Sequence, residues 1–114
     1  EQGDKESQYD LALKLKNGDG IAKNSVESAK WFHKAAQNGQ MAAQFELAQL
    51  YRDGIGVKQD NVLAYAWFNV AIINGYYPAN IPRDLLIQNL NAVEISEAEQ
   101  LSSAWLYGQS IERK

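Results

Sequence analysis

Apolar residues recur along this chain at the three- and four-residue spacing of an α-helix, and short polar clusters separate them. In residues 7–16, Leu11, Ala12 and Leu15 lie on one helical face. The segment 17–20, Asn-Gly-Asp-Gly, follows at once, and glycine accepts the positive φ that helix ends favour. The pattern therefore predicts a first helix over about 7–16 that ends in a tight loop.

Five further apolar stretches follow the same plan, separated by loops of a few residues. The predicted helices cover about 25–37, 41–52, 61–73, 79–90 and 92–107. Polar residues with the spacing of helix caps precede three of them, namely Asn24 with Glu27, Asp60, and Asn91 with Glu94. Short loops make neighbouring helices antiparallel, so the pattern predicts an all-α protein.

The chain also matches itself after a shift of 36 residues. The shared positions are loop glycines and large or small apolar helix residues: Leu11/Leu47, Ala12/Ala48, Gly18/Gly54, Gly20/Gly56, Trp31/Trp67, Phe32/Phe68, Ala35/Ala71 and Asn38-Gly39/Asn74-Gly75. A fixed period in this range is typical of stacked helical repeats. We therefore expect a single domain over 1–114, with repeat 1 at about 5–40, repeat 2 at about 41–76 and a degenerate capping helix pair at about 77–110.

The second unit contains Ala43, Leu47-Ala48, Tyr51, Gly54-Ile55-Gly56-Val57, Asp60, Ala64, Trp67-Phe68, Ala71 and Gly75. This series resembles the Sel1-like repeat, a relative of the tetratricopeptide repeat, whose pattern is A-x-x-x-L-G/A-x-x-Y-x-x-G-x-G-V, a cap, then A-x-x-W-[YF]-x-x-A-A-x-x-G. Unit one departs from the pattern at Leu15, Ile21 and Ser28. The resemblance extends over about 7–107. It implies a short right-handed α-solenoid of helix-turn-helix repeats, here three stacked helix pairs.

Composition narrows the functional classes. The 114 residues include no cysteine, which excludes disulfides, thiolate nucleophiles and thiolate zinc sites. A net charge of −3 disfavours binding to nucleic-acid phosphates. No run of about 18 apolar residues is present, so membrane insertion is not expected. The charged opening of the chain does not have the form of a signal peptide, and cytoplasm and periplasm both stay open as compartments.

Several residues have a chemical interpretation that competes with a structural one. The Gly-x-Gly loops follow helices and lack the Lys-Ser/Thr of phosphate-binding loops, which favours turns. Trp31, Trp67 and Trp105 recur near the repeat period and could form an aromatic ladder, but packing between helix pairs is favoured.

The histidine and the glutamates of the last helix do not suggest a catalytic site. His33 is the only histidine and is expected on a solvated face, as are Glu94, Glu97 and Glu99 beyond their capping role. We therefore predict no catalytic, metal or cofactor-binding residue, no cofactor and no enzyme activity.

The resemblance to tetratricopeptide-type units implies that the first helix of each pair lines a concave face. By register, this face carries Tyr9, Leu13, Lys16, Phe45, Gln49, Arg52, Ile81 and Leu85. These residues either bind a partner or pack between first helices, and the sequence leaves both alternatives open.

The resemblance implies a protein–protein interaction scaffold that binds a protein or peptide. A cell-envelope or cell-wall-associated enzyme, a regulatory subunit of an enzyme complex, and a structural spacer in a larger chain are the alternatives. Self-association through the ends of the stack also stays open.

Overall fold

The structure is a computed structural model that describes residues 4–111. All regular structure in this range is helical, which confirms the all-α prediction. The α-helices are α1 (Lys5–Asn17), α2 (Ser25–Gln37), α3 (Met41–Asp53), α4 (Asn61–Ile73), α5 (Asn80–Leu86) and α6 (Ala92–Leu106), and 3-10 turns cover Tyr77–Ala79 and Ile87–Asn89. The first four helices form two hairpins, α1–α2 and α3–α4, and α3 also packs against α2.

Side-chain caps set the starts of the predicted helices. The carboxylate of Asp60 accepts the backbone N–H groups of Val62 and Leu63 at 3.0 and 3.1 Å. Asn91 and Glu94 form the reciprocal capping box, each side chain accepting the other's backbone N–H. A cap of this kind stabilises a helix by about 1 kcal/mol.

The capping pair at the start of α2 forms only in part. Asn24 accepts the backbone N–H of Glu27 at 3.0 Å, as the spacing predicts. The Glu27 carboxylate pairs with Lys30 along the helix at 3.4 Å.

The glycine loops of the two hairpins have the same geometry. Gly18 and Gly54 follow α1 and α3 with φ of 72° and 68°, and each donates its N–H to the carbonyl four residues earlier. The chain then returns to the first helix, where the Asp60 N–H donates to the Tyr51 carbonyl at 2.9 Å. In the first unit, the Asn24 N–H donates to the Leu15 carbonyl in the same way, also at 2.9 Å. The 36-residue period therefore repeats hydrogen bonds as well as residue types.

Helix α4 lies at the centre of the core and packs against α3, α5 and α6. Trp67 and Phe68 of this helix are completely buried, as is Phe32 of α2. Buried alanines such as Ala48 and Ala64 allow the helix backbones to approach closely around these rings. Full burial of a large apolar side chain contributes about 1.5–3 kcal/mol, so these rings are major contributors to stability.

The third unit differs from the predicted helix pair. The expected helix over 79–90 is wrong in extent, because α5 spans only seven residues between two 3-10 turns. Pro82 lies early in α5, where its missing N–H is tolerated, but the short helix offers little surface for a hairpin. Both α5 and α6 pack chiefly on α4. The stack therefore consists of two hairpins and two further helices that pack on α4.

The aromatic and histidine predictions have mixed outcomes. Core packing is confirmed for Trp67, whereas Trp31 and Trp105 are half-buried at the edge of the core. The ammonium of Lys34 lies 4.2 Å from the centre of the Trp31 ring. The expectation that His33 is solvated is wrong, since it is half-buried with its ring centre 5.9 Å from that of Trp67, edge to face.

Candidate functional site

The eight residues predicted to line the concave face lie on α1, α3 and α5, and we call this surface the first-helix face. It comprises Tyr9, Leu13, Lys16, Phe45, Gln49, Arg52, Ile81 and Leu85. Their exposure divides them into two groups. Ile81 and Leu85 are 72% and 60% exposed, whereas the other apolar members are half-buried.

The aromatic members pack against the second helix of their own unit. The ring centre of Tyr9 lies 5.9 Å from that of Phe32, and Phe45 lies 5.8 Å from Phe68. The ring centre of Phe45 also lies 5.0 Å from that of Tyr76. Each aromatic side chain therefore has one side within its hairpin, and its remaining surface lies at the first-helix face.

The charged member of α1 links the two hairpins. The Lys16 ammonium donates to the Glu46 carboxylate of α3 at 3.0 Å. Burial raises the pKa of Tyr9, and the nearby Glu46 charge raises it further. Tyr9, Lys16 and Glu46 thus form a polar edge between α1 and α3, although an exposed ion pair contributes at most about 1 kcal/mol.

Arg52 and Leu85 meet at a small pocket. Together with Pro82, Leu86 and polar side chains they line a cavity of about 260 Å³. The guanidinium of Arg52 donates twice to the carboxylate of Asp53, at 3.0 and 3.1 Å. This pair raises the pKa of Arg52 and lowers that of Asp53. The pocket therefore combines apolar walls with a fixed cation, while Ile81 is not one of its lining residues.

A repeated Gln–Asn hydrogen bond joins the first helix of each hairpin to the C-cap of the second helix, and it was not predicted from the sequence. Gln44 is fully buried, donates to the Ala36 carbonyl at 3.0 Å and accepts from the Asn74 amide at 2.8 Å. Asn38 and Gln8 repeat the same contact at 3.0 Å one unit earlier. The signal was present, because both pairs are 30 residues apart and related by the 36-residue period.

A larger cavity lies beside the Arg52–Leu85 pocket and shares the lining residues Gln59, Asn61 and Asn89 with it. It has a volume of about 990 Å³, and its lining includes Asp60, Glu94 and Glu97 at the starts of α4 and α6. Two of these carboxylates accept backbone N–H groups as helix caps. These hydrogen bonds give Asp60 and Glu94 a structural role as caps of α4 and α6.

Residues 4–111 offer neither a metal-binding cluster nor a membrane-spanning helix. No group of three or more His, Cys, Asp or Glu side chains in this range is placed to hold a metal ion. No helix in the same range is both long enough and apolar enough to cross a bilayer.

The repeats and the fold match known proteins. The Sel1 repeat family model matches residues 5–40 and 42–76. A comparison with curated proteins finds no match. Sel1 repeat proteins are generally scaffolds for protein–protein interaction, and the fold is typically non-catalytic.

Two solved structures show the same architecture. A protective antigen present in uropathogenic Escherichia coli strains, which displays an SLR fold, is 34% identical with a TM-score of 0.88. The match covers 95% of this chain but only 23% of the antigen, so this chain spans about a quarter of that protein. A Sel1 repeat protein from Oxalobacter formigenes is 33% identical with a TM-score of 0.70, over 72% of this chain and 62% of that one. With its two matched repeats and its short α-solenoid fold, the chain belongs to the Sel1 repeat family.

Proposed function

We propose that this protein binds a partner protein or peptide through the first-helix face. The observation that carries the proposal is the pocket of about 260 Å³ at which Arg52 meets Leu85 and Pro82. An apolar side chain fits such walls, and the guanidinium favours a carboxylate beside it. The occupant that this chemistry favours is a segment with an apolar anchor next to an acidic residue.

The scaffold presents this pocket with little rearrangement. Arg52 is held by two hydrogen bonds to Asp53, and Leu86 behind the pocket is buried. A binding surface that is already ordered loses little conformational entropy when a partner docks. Burying the exposed part of Leu85 contributes favourably at about 25 cal/mol per Å² of apolar surface.

The half-buried members of the face extend the surface beyond the pocket. Tyr9, Leu13 and Phe45 each keep part of their side chain accessible while the rest packs within the hairpins. Packing and partner binding are therefore compatible at these positions, since different sides of one side chain serve each role.

The experiment compares the wild-type chain with an Arg52→Glu, Leu85→Glu double variant. Partners captured by the wild type are identified by mass spectrometry, purified and titrated against both proteins. We expect the double variant to bind its partner at least about tenfold more weakly, which is 1.4 kcal/mol or more. Circular dichroism checks that the variant keeps its helix content.

A matched control places a charge on an exposed apolar residue away from the face. Val93 on α6 is 77% exposed and serves this purpose as Val93→Glu. It should bind like the wild type. If the double variant binds every purified partner as tightly as the control does, the first-helix face is not the binding surface.

A further inference from the structure

The dipeptide Asn-Gly occurs three times in the chain, each time at the end of an α-helix. Asn17-Gly18 ends α1, Asn38-Gly39 follows α2 and Asn74-Gly75 follows α4. Asparagine is a chemically labile residue. A following glycine has no side chain to shield its peptide nitrogen, and it leaves the backbone free to move. Because the dipeptide is the same in all three places, its surroundings decide which asparagine reacts first.

The reaction is an attack by the backbone nitrogen of the glycine on the side-chain carbonyl carbon of the asparagine. A C–N bond forms, the N–H proton passes through solvent to the amide group, and that group leaves as ammonia. Water then opens the resulting cyclic imide at either carbonyl, which yields an aspartate or an isoaspartate. The ring closes only after the asparagine leaves its helical backbone conformation, so contacts that hold the turn closed slow the reaction.

Asn74 is held most firmly of the three. Its side-chain nitrogen, which has to leave in the reaction, donates to the fully buried Gln44 at 2.8 Å. Gly75 and Tyr76 donate their N–H groups to carbonyls of α4 at 2.9 and 2.8 Å. Opening this turn therefore breaks a side-chain hydrogen bond and two backbone hydrogen bonds together.

Asn38 is held by equivalent contacts in a more exposed place. Its amide donates to Gln8 at 3.0 Å, and Gly39 and Gln40 donate to carbonyls of α2, also at 3.0 Å. Asn38 is exposed, whereas Asn74 is half-buried. We therefore expect Asn38 to react more readily than Asn74.

Asn17 has the least support. Its side chain is exposed and forms no hydrogen bond within residues 4–111. All residues from 16 to 24 are exposed, and in the described part of the chain no backbone N–H from 20 to 23 donates to a backbone carbonyl. The turn is closed by the N–H groups of Gly18 and Asp19, which both donate to the Lys14 carbonyl. Local opening of this helix end leaves the core intact and requires little free energy.

We propose that Asn17 is a site of spontaneous deamidation, at which the chain gains a carboxylate beside Lys16 on the first-helix face. The second repeat shows what such a carboxylate does. Asp53 occupies the corresponding position and accepts from Arg52, the counterpart of Lys16, at 3.0 and 3.1 Å. In the unmodified chain, Lys16 donates to Glu46 of α3 at 3.0 Å. The new carboxylate competes with Glu46 for this ammonium and weakens a link between the two hairpins.

The rates are measured on the full chain during incubation in mildly alkaline buffer. Cleavage after glutamate residues places Asn17, Asn38 and Asn74 in three separate peptides. Mass spectrometry with fragmentation follows the replacement of the amide NH2 by OH at each position. We expect Asn17 to react at least about tenfold faster than Asn74, which corresponds to a difference of about 1.4 kcal/mol in the free energy of local opening. Asn38 should react at an intermediate rate.

The same chain in concentrated guanidinium chloride is the matched control. Unfolding removes every contact and leaves three identical dipeptides, so the three rates should lie within about threefold of one another. Asn17→Gln provides a second control, because the longer side chain disfavours ring closure. This variant should lose the reaction at position 17 and keep the wild-type rates at Asn38 and Asn74.

The product is tested in pure form with the variant Asn17→Asp. We expect NMR resonances of the Lys16 ammonium and the Glu46 carboxylate to shift relative to the wild type. Asn89→Asp adds the same charge at an exposed residue of the 3-10 turn after α5, and it should leave these resonances unchanged.

Three results would overturn the inference. One is an Asn17 that reacts no faster than Asn74 in the folded chain, or not at all in the time that the unfolded chain needs to react. Another is the same ratio of rates in buffer and in guanidinium chloride, since neighbouring residues and not the fold would then set the order. The third is an Asn17→Asp variant with unchanged Lys16 and Glu46 resonances, which would refute the competition for the ammonium.

Discussion

The loop between α3 and α4 touches the first unit at Gly56, and replacing this glycine should destabilise the protein more than replacing its counterpart Gly20. The two glycines have similar φ, 75° and 79°. A Cβ on Gly20 would meet no atom within 4 Å. A Cβ on Gly56 would collide with the carbonyl of Ser25, at 2.7 Å from its carbon, and would lie 3.3 Å from the Cβ of Ala29.

The two substitutions therefore share one energetic term and differ in another. An alanine held at positive φ costs about 1 kcal/mol after the loss of unfolded-state freedom is taken into account, and Gly20→Ala should show this alone. Gly56→Ala must also push the loop away from the start of α2, and overpacking of this kind costs about 1–3 kcal/mol more. We therefore expect about 2–4 kcal/mol for Gly56→Ala.

Urea unfolding followed by circular dichroism and tryptophan fluorescence measures both variants. With an m value of about 1.5 kcal/mol/M, an extra 2 kcal/mol lowers the midpoint of Gly56→Ala by about 1.3 M relative to Gly20→Ala. The shared φ makes Gly20→Ala the matched control. Equal midpoints for the two variants would show that the loop does not press on α2, and the reasoning would fail.

Three further predictions concern buried groups. Trp67→Ala should lower the free energy of unfolding by about 3–5 kcal/mol, measured by circular dichroism, because its side chain is fully buried; an unchanged midpoint would refute this. Gln44→Ala should cost about 2–3 kcal/mol and Gln8→Ala about 1 kcal/mol, since Gln44 binds the buried carbonyl of Ala36, whereas Asn38, which binds Gln8, is exposed; equal urea midpoints would contradict this. Burial, and secondarily Asp60, raises the pKa of Tyr51 above its ordinary value. The stability this provides is complete below about pH 10 and is lost as pH rises through the folded-state pKa, so Tyr51→Phe should lose less stability than wild type between pH 8 and pH 11 in urea titrations.

Periodic and capping residues made the first two units predictable. Asp60 and the loop glycines mark helix ends that are determined by residues close by in the sequence. Helix α4 begins and ends at the predicted residues 61 and 73. The predicted end of α3 at 52 differs from the structure by one residue. Local hydrogen bonds decide these boundaries, so a single sequence is sufficient to locate them.

The third unit was harder because its structure depends on tertiary packing. The apolar stripe of α6 was visible, but a stripe shows only which side of a helix is buried and cannot show which helix buries it. The pattern of 79–90 predicted one helix, whereas its division into an α-helix between 3-10 turns depends on how that segment packs against α4.

The candidate site shows the same division. Register identified the positions that lie together on the first helices, including Arg52 and Leu85 at one pocket. It did not distinguish the half-buried Tyr9 from the exposed Ile81, because equivalent positions differ in what covers them. His33 was misjudged for a related reason, since its neighbour Trp67 comes from the next repeat.

Residues 105–111 contain two residues that bind the end of the first repeat. The indole N–H of Trp105 donates to the carbonyl of Gln37 at 3.3 Å, the Gln37 amide donates to the carbonyl of Gln109 at 3.1 Å, and Ile111 is buried. In most repeat stacks each unit touches only its neighbours, so melting can proceed from one end. Here α6 and the segment after it also contact the end of α2, so that unfolding of α6 breaks contacts with the first repeat. The protein should therefore unfold in one cooperative transition, as a closed domain does.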